Sequence, residues 1–158
     1  MRIMAFIAIL TVGRLKLPDG HSATREFFTV GSELTRQAAR SGHLIKEFSP
    51  NRVRLPEGVI KGEGLPILTL TVWDSLSNVF HFTYSGLHKQ ALRDRNKWIE
   101  PHPDKQPTYV LWWTEMVKDV SWKEAFSRYN YYLQNGPTPA AFDFKQAFDE
   151  AGETFLLK

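Results

Sequence analysis

In FHFTYSGLHKQALRDRNKW, residues 80–98, Tyr84, His88 and Arg95 stand at intervals of four and seven. The stretch is long enough for a helix of about five turns. At 100° per residue, Leu76, Phe80, Tyr84, Leu87 and Trp98 fall within an arc of about 80°, the stripe expected to pack the core. His81, His88 and Arg95 fall beside it, two turns apart from one another. Tyr84 lies between the stripes, four residues before His88, where their polar ends can meet. This pattern suits proton transfer: His88 as general acid or base, Tyr84 orienting it or sharing the proton. The bland alternative for His88 is a helix histidine bonded to a neighbour. Arg95 presents a planar fork of donors for a carboxylate or phenolate, or pairs with Asp94 or Glu100. His81 is a weaker candidate on the same face. His81 and His88 do not predict a metal site, because two turns rise about 10.5 Å and one ion needs ligands at about 2.1 Å. Gly86 costs about 1 kcal/mol against alanine in mid-helix. It reads as room for a ring, a backbone or a ligand.

Other chemistries lack their residues. There is no cysteine, so disulfides, thiolate-held clusters and cysteine zinc sites are excluded. Ser85-Gly86 is not G-x-S-x-G, and Gly62-Glu63-Gly64 lacks the lysine and helix start of a phosphate loop. No dinucleotide fingerprint is present, and no cofactor is expected. The net charge of +3, from 20 basic against 17 acidic residues, comes without a basic run. Nucleic acid is therefore not an expected partner. No stretch reaches the roughly 18 apolar residues of a membrane helix. MRIMAFIAILTV reads as a buried first strand rather than a signal segment, and a cytoplasmic location is expected. Aromatic residues make up 13% of 158 residues, enough both to fill a core and to wall a small-molecule pocket.

The elements that must position these residues follow from periodicity. Residues 4–12 form a strand, then Pro18-Asp19-Gly20 turns the chain. Ser22 is the expected cap of a helix carrying Phe27, Val30, Gly31, Leu34 and Ala38, closed by Gly42. Residues 45–53 read as a second strand and 55–64 as a Gly-rich connection. Residues 65–73, LPILTLTVW, alternate: Leu68, Leu70 and Val72 face one way; Ile67, Thr69, Thr71 and Trp73 face the other. The helix of Tyr84 and His88 follows, then a strand at 109–113. Alternation there sends Trp112 and Trp113 to opposite faces. Ser121-x-x-Glu124 opens a further helix, and Asn135-Gly136-Pro137 stops it.

The order β-α-β-β-α-β with a C-terminal helix and tail (121–158) predicts one domain over residues 1–158. Its class is α+β: a ferredoxin-like split βαβ antiparallel sheet with both helices on one face. The other face, with Thr69, Thr71, Trp73 and one of the paired tryptophans, is too aromatic to leave in water. A second copy in a homodimer is the expected cover.

Several stretches together resemble the DUF3291 family of small bacterial and fungal proteins. They are Trp73 before the central helix, Tyr84-x-x-x-His88, Arg95-x-x-Trp98, Leu111-Trp112-Trp113, and Gly136-Pro137-Thr138-Pro139 with Ala141 and Phe142. The likeness spans roughly residues 4–148 and implies a dimeric α/β barrel. That fold is shared by cofactor-independent monooxygenases, polyketide cyclases, isomerases and some haem enzymes. Fold does not name a reaction.

The expectation is a small enzyme, acting in secondary metabolism, with an apolar aromatic or polyketide-like substrate. His88 moves a proton with Tyr84 assisting, in cofactor-free oxygenation, cyclisation or isomerisation. Arg95, Trp73, Trp113, Phe80, His81 and Trp112 bind the substrate. The alternative is a dimer that holds a small molecule, or haem on one histidine, without turning it over.

Overall fold

The alternation in LPILTLTVW assigns a face to each residue of that strand from Ile67 to Trp73. In the computed structural model, which describes residues 5–102 and 106–158, it is β3 (Pro66–Trp73). β3 pairs antiparallel with β1 (Phe6–Arg14), and β1 pairs antiparallel with β4 (Tyr109–Thr114). The expected start of the first strand at Met4 lies outside the described residues. β2 (Leu44–Phe48) is an edge strand on β3 and is shorter than the expected 45–53. The sheet order β2-β3-β1-β4 is that of the ferredoxin-like α+β fold.

Period two divides the core into two layers. On one face Ala8, Leu10, Val12, Leu70, Val72, Val110 and Trp112 are sealed beneath α4 (Trp122–Asn135) and the connection carrying Val59 and Ile60. On the other face Ile7, Ile9, Trp73 and Leu111 look toward α1 (Ser22–Arg40), α2 (Leu76–Thr83) and the tail around Phe142 and Phe144. The expectation of an uncovered face is corrected here. α4 brings Ala125, Phe126, Tyr129 and Tyr132 onto it, so the same chain does what was assigned to a second subunit. Thr69, Thr71 and Trp73 point instead toward α1 and α2.

Local chemistry explains the cover. Ser121 Oγ accepts from the Glu124 backbone N–H at 3.1 Å and starts α4. Glu124 does not reach back as in a capping box; it accepts from the Trp112 indole N–H at 3.1 Å and pairs with Arg128 at 3.5 Å. Arg14 donates to Ile60 O at 3.1 and 2.9 Å and to Gly64 O at 2.6 Å. Those bonds hold the Gly-rich connection over the sheet's end. α1 is capped by the His21 ring, which accepts from Ala23 N–H at 3.1 Å, rather than by Ser22, its first residue.

The central helix is two helices. α2 ends at Thr83, Ser85 is extended, and α3 (Gly86–Asp94) starts afresh, running into a 3₁₀ turn at Arg95–Lys97. Gly86 has φ +52°, a left-handed value that favours glycine. A Cβ there would meet no atom within 4 Å. The glycine thus serves the break, not a close approach.

Candidate functional site

α1 stands off the sheet. Its inward stripe is Phe27, Val30, Leu34 and Ala38, yet of its nineteen residues only Thr24 and Ala38 are buried. None of α3 is buried. Apolar helix faces normally close on a sheet; here a cavity of about 590 Å³ separates them. That volume falls within the range of small-molecule sites, roughly 300–1,000 Å³. Its floor is Ile9, Thr11, Ile67, Thr69, Thr71 and Trp73. Thr11 and Thr69, directly paired in the β1–β3 register, leave the floor open to solvent.

His88 lies on the cavity wall. It is the third residue of α3, so the break at Ser85 sets its direction. Its ring meets Phe82 edge-on at 5.7 Å, and Phe82 meets Trp73 at 5.0 Å. The Trp73 indole N–H donates to Thr71 Oγ1 at 2.9 Å, which fixes that ring over the floor. His88 Nδ1 is buried without a hydrogen bond. Burial pushes the imidazole below its ordinary 6.5, with the nearby Thr83 backbone opposing in part. The ring is therefore neutral at pH 7 and able to accept a proton. Arg95 also borders the cavity and is exposed. It forms no ion pair with Asp94, which pairs with Lys97 at 3.6 Å.

Three of the expected site residues thus meet at one cavity: His88, Arg95 and Trp73. The others lie elsewhere. Tyr84 caps α2 and is 43% exposed, packed on Phe80 at 5.0 Å and Phe144 at 5.6 Å. The helix break removes the i,i+4 relation to His88, so Tyr84 cannot assist it. Phe80 packs on Phe144 and on the exposed His81. Trp113 donates to Phe148 O at 2.8 Å and anchors the tail. Trp112, fully buried, bonds to Glu124 beneath α4. The Gly-Pro-Thr-Pro segment is likewise structural: Phe142 bridges Leu111 with backbone bonds of 2.8 and 2.9 Å, and Arg128 holds Ala140 O.

Periodicity missed other cavity residues. Trp98 reads as core and is 4% exposed, but its indole N–H has no partner. His102 and Gln106, in the Pro-rich PHPDKQP, also line the cavity with buried, unpartnered polar atoms. Their only sequence signal is a loop histidine between prolines. A more open concavity of about 540 Å³ on α4 is lined by Ser121, Glu124 and Arg128, whose polar groups already serve one another and the fold. Among the described residues no group of three or more His, Asp or Glu is placed to hold a metal ion. No helix there is long and apolar enough to cross a membrane.

The crystal structure of NE2512, a protein of unknown function from Nitrosomonas europaea, is similar at a TM-score of 0.46 and 6% identity, over 76% of this chain and 97% of that one. No curated protein matches the chain. The family model described as a domain of unknown function, DUF3291, matches residues 6–155, and the chain belongs to that family.

Proposed function

We propose that the protein binds an apolar, ring-bearing small molecule in the helix–sheet cavity and that His88 takes a proton from it. The observation that carries this reading is a neutral imidazole with a buried, unpartnered Nδ1 on the wall of a cavity of about 590 Å³. In the step, a C–H bond of the ligand breaks, the proton goes to Nδ1, and the electron pair stays on the ligand. Cofactor-free oxygenation, cyclisation and isomerisation can each start from such a carbanion. Trp73 and Phe82 hold the ring in place, and Arg95 at the rim offers a charge for an anionic group. Tyr84 takes no part.

A second reading, a pocket that binds without turnover, is favoured by one feature: no carboxylate orients the His88 ring among the described residues. Solvent-deuterium exchange at the α-carbon of 1-tetralone, followed by NMR, separates the two. The expected result is exchange above the buffer rate, lowered about 10²-fold or more in His88→Gln with binding retained. Equal rates in His88→Gln and wild type would remove His88 as the base. Binding with exchange at the buffer rate in wild type would establish the second reading.

A further inference from the structure

The cavity has a polar end. Three of its lining residues besides His88 carry buried side-chain atoms with no hydrogen bond: Trp98 Nε1, both ring nitrogens of His102, and Gln106 Oε1. Buried polar groups are almost always satisfied in native proteins. Leaving one unpaired destabilises the fold, so four such atoms on residues lining one cavity call for a partner. Trp98 is the most telling of the three residues. It is 96% out of contact with solvent, being 4% exposed, and its ring is held against Phe27 at 5.8 Å. Its backbone is fixed as well, by Lys16 N–H donating to Trp98 O at 2.7 Å. The indole cannot turn to find another acceptor.

The three groups differ in what they demand. An indole N–H only donates, an amide oxygen only accepts, and a neutral imidazole does one of each. A purely apolar ligand would leave all of them unpaired, and a bare carboxylate would satisfy the donors but not Gln106.

We infer that Trp98, His102 and Gln106 form a recognition site for a ligand head group carrying both a carbonyl oxygen and a hydroxyl, as in a hydroxyaryl ketone. The carbonyl accepts from Trp98 and from the His102 N–H, and the hydroxyl donates to Gln106; the second His102 nitrogen, an acceptor, is left to water. The ligand's ring body then lies over the threonine-lined floor toward Trp73. This inference rests on the proposed ligand-binding function and names the class of ligand.

The test is the affinity of three bicyclic probes of similar size, measured by ligand-observed NMR: naphthalene, 1-tetralone and 6-hydroxy-1-tetralone. They carry neither group, the carbonyl, and both. The expected order is a rise of about tenfold at each step. Trp98→Phe keeps the ring and removes the N–H; it is expected to weaken both ketones about tenfold and naphthalene less than twofold. Gln106→Leu is expected to bring 6-hydroxy-1-tetralone down to the level of 1-tetralone, and it carries the test if Trp98→Phe fails to fold. Equal affinity for all three probes, or a preference that survives both substitutions, would overturn the inference and leave the cavity a general apolar pocket whose polar atoms bind water. Failure of every probe to bind would overturn the ligand-binding function and this inference with it.

Discussion

Gly31 sits in the interior of α1 and borders the cavity. Its φ is not in the left-handed region, and a Cβ added there would meet nothing within 4 Å. Glycine inside a helix is less stable than alanine by about 1 kcal/mol. Neither backbone geometry nor crowding calls for it, so its consequence is open space under the helix. Gly31→Ala is therefore expected to stabilise the protein by about 1 kcal/mol. With an unfolding entropy of roughly 2.1 cal/mol/K per residue over 158 residues, that raises Tm by roughly 3 °C. Gly31→Leu retains most of the gain, since leucine is nearly as good a helix former, and projects four carbons into the cavity. It is expected to fold at least as stably as wild type while binding 1-tetralone at least tenfold more weakly. Thermal unfolding by circular dichroism and ligand-observed NMR on the same samples read the two effects. Stability up and affinity down is a combination that core packing does not produce. A fall in stability for Gly31→Ala would mean that α1 has no room beneath it. Unchanged affinity in a stable Gly31→Leu would mean that the ligand does not lie under α1.

Two further outcomes follow from the same structure. Gly64→Ala drives a methyl carbon into the Leu15 carbonyl oxygen and to 3.0 Å from Glu100 Oε1. The chain must shift, straining Arg14 on Gly64 O and Leu15 N–H on Leu65 O; at roughly 1.5–3 and 0.5–1.5 kcal/mol respectively, the loss is about 2–4.5 kcal/mol. An unchanged urea midpoint would show that the connection is not clamped there. His88 gives a pH dependence: burial lowers its pKa in the folded state below the unfolded 6.5, so the unfolded chain binds the proton first. Its contribution is intact above about pH 6.5 and is lost as pH falls through the lowered folded value. Comparing urea midpoints at pH 7.5 and pH 5, wild type is expected to lose more stability than His88→Gln; equal losses would place His88 in water.

How much was legible in the sequence depended on what each signal measures. Alternation in β3 reports which way a side chain points, and the seven residues from Ile67 to Trp73 point as expected. It does not report what arrives on that face. The stripe Phe126, Tyr129 and Leu133 marks a helix with an apolar side, but nothing in its spacing says that it folds back over Ala8, Leu10 and Trp112. Without that contact, an open sheet face made a second subunit look necessary. The helix wheel failed at Ser85 for a related reason. Apolar spacing runs through residues 76–98 unbroken, because it counts positions and is blind to a glycine at φ +52°. The break moved Tyr84 outward and left His88 facing in.

The cavity was hidden most deeply. Phe27, Val30, Leu34 and Ala38 have the same spacing whether a helix touches its sheet or stands off it. An indole at Trp98 reads as core until its N–H is found buried with nothing to bond. Packing this tight elsewhere, with Trp112, Tyr129 and Phe142 fully enclosed, shows that the chain can close an interface when its side chains fill it. Between α1 and the sheet it places threonines on the floor and a glycine in the roof. It also leaves five buried polar atoms, on His88, Trp98, His102 and Gln106, unpaired on residues that line that cavity. Space alone would be a packing defect; space beside unsatisfied hydrogen-bonding groups is what supports the proposed ligand site.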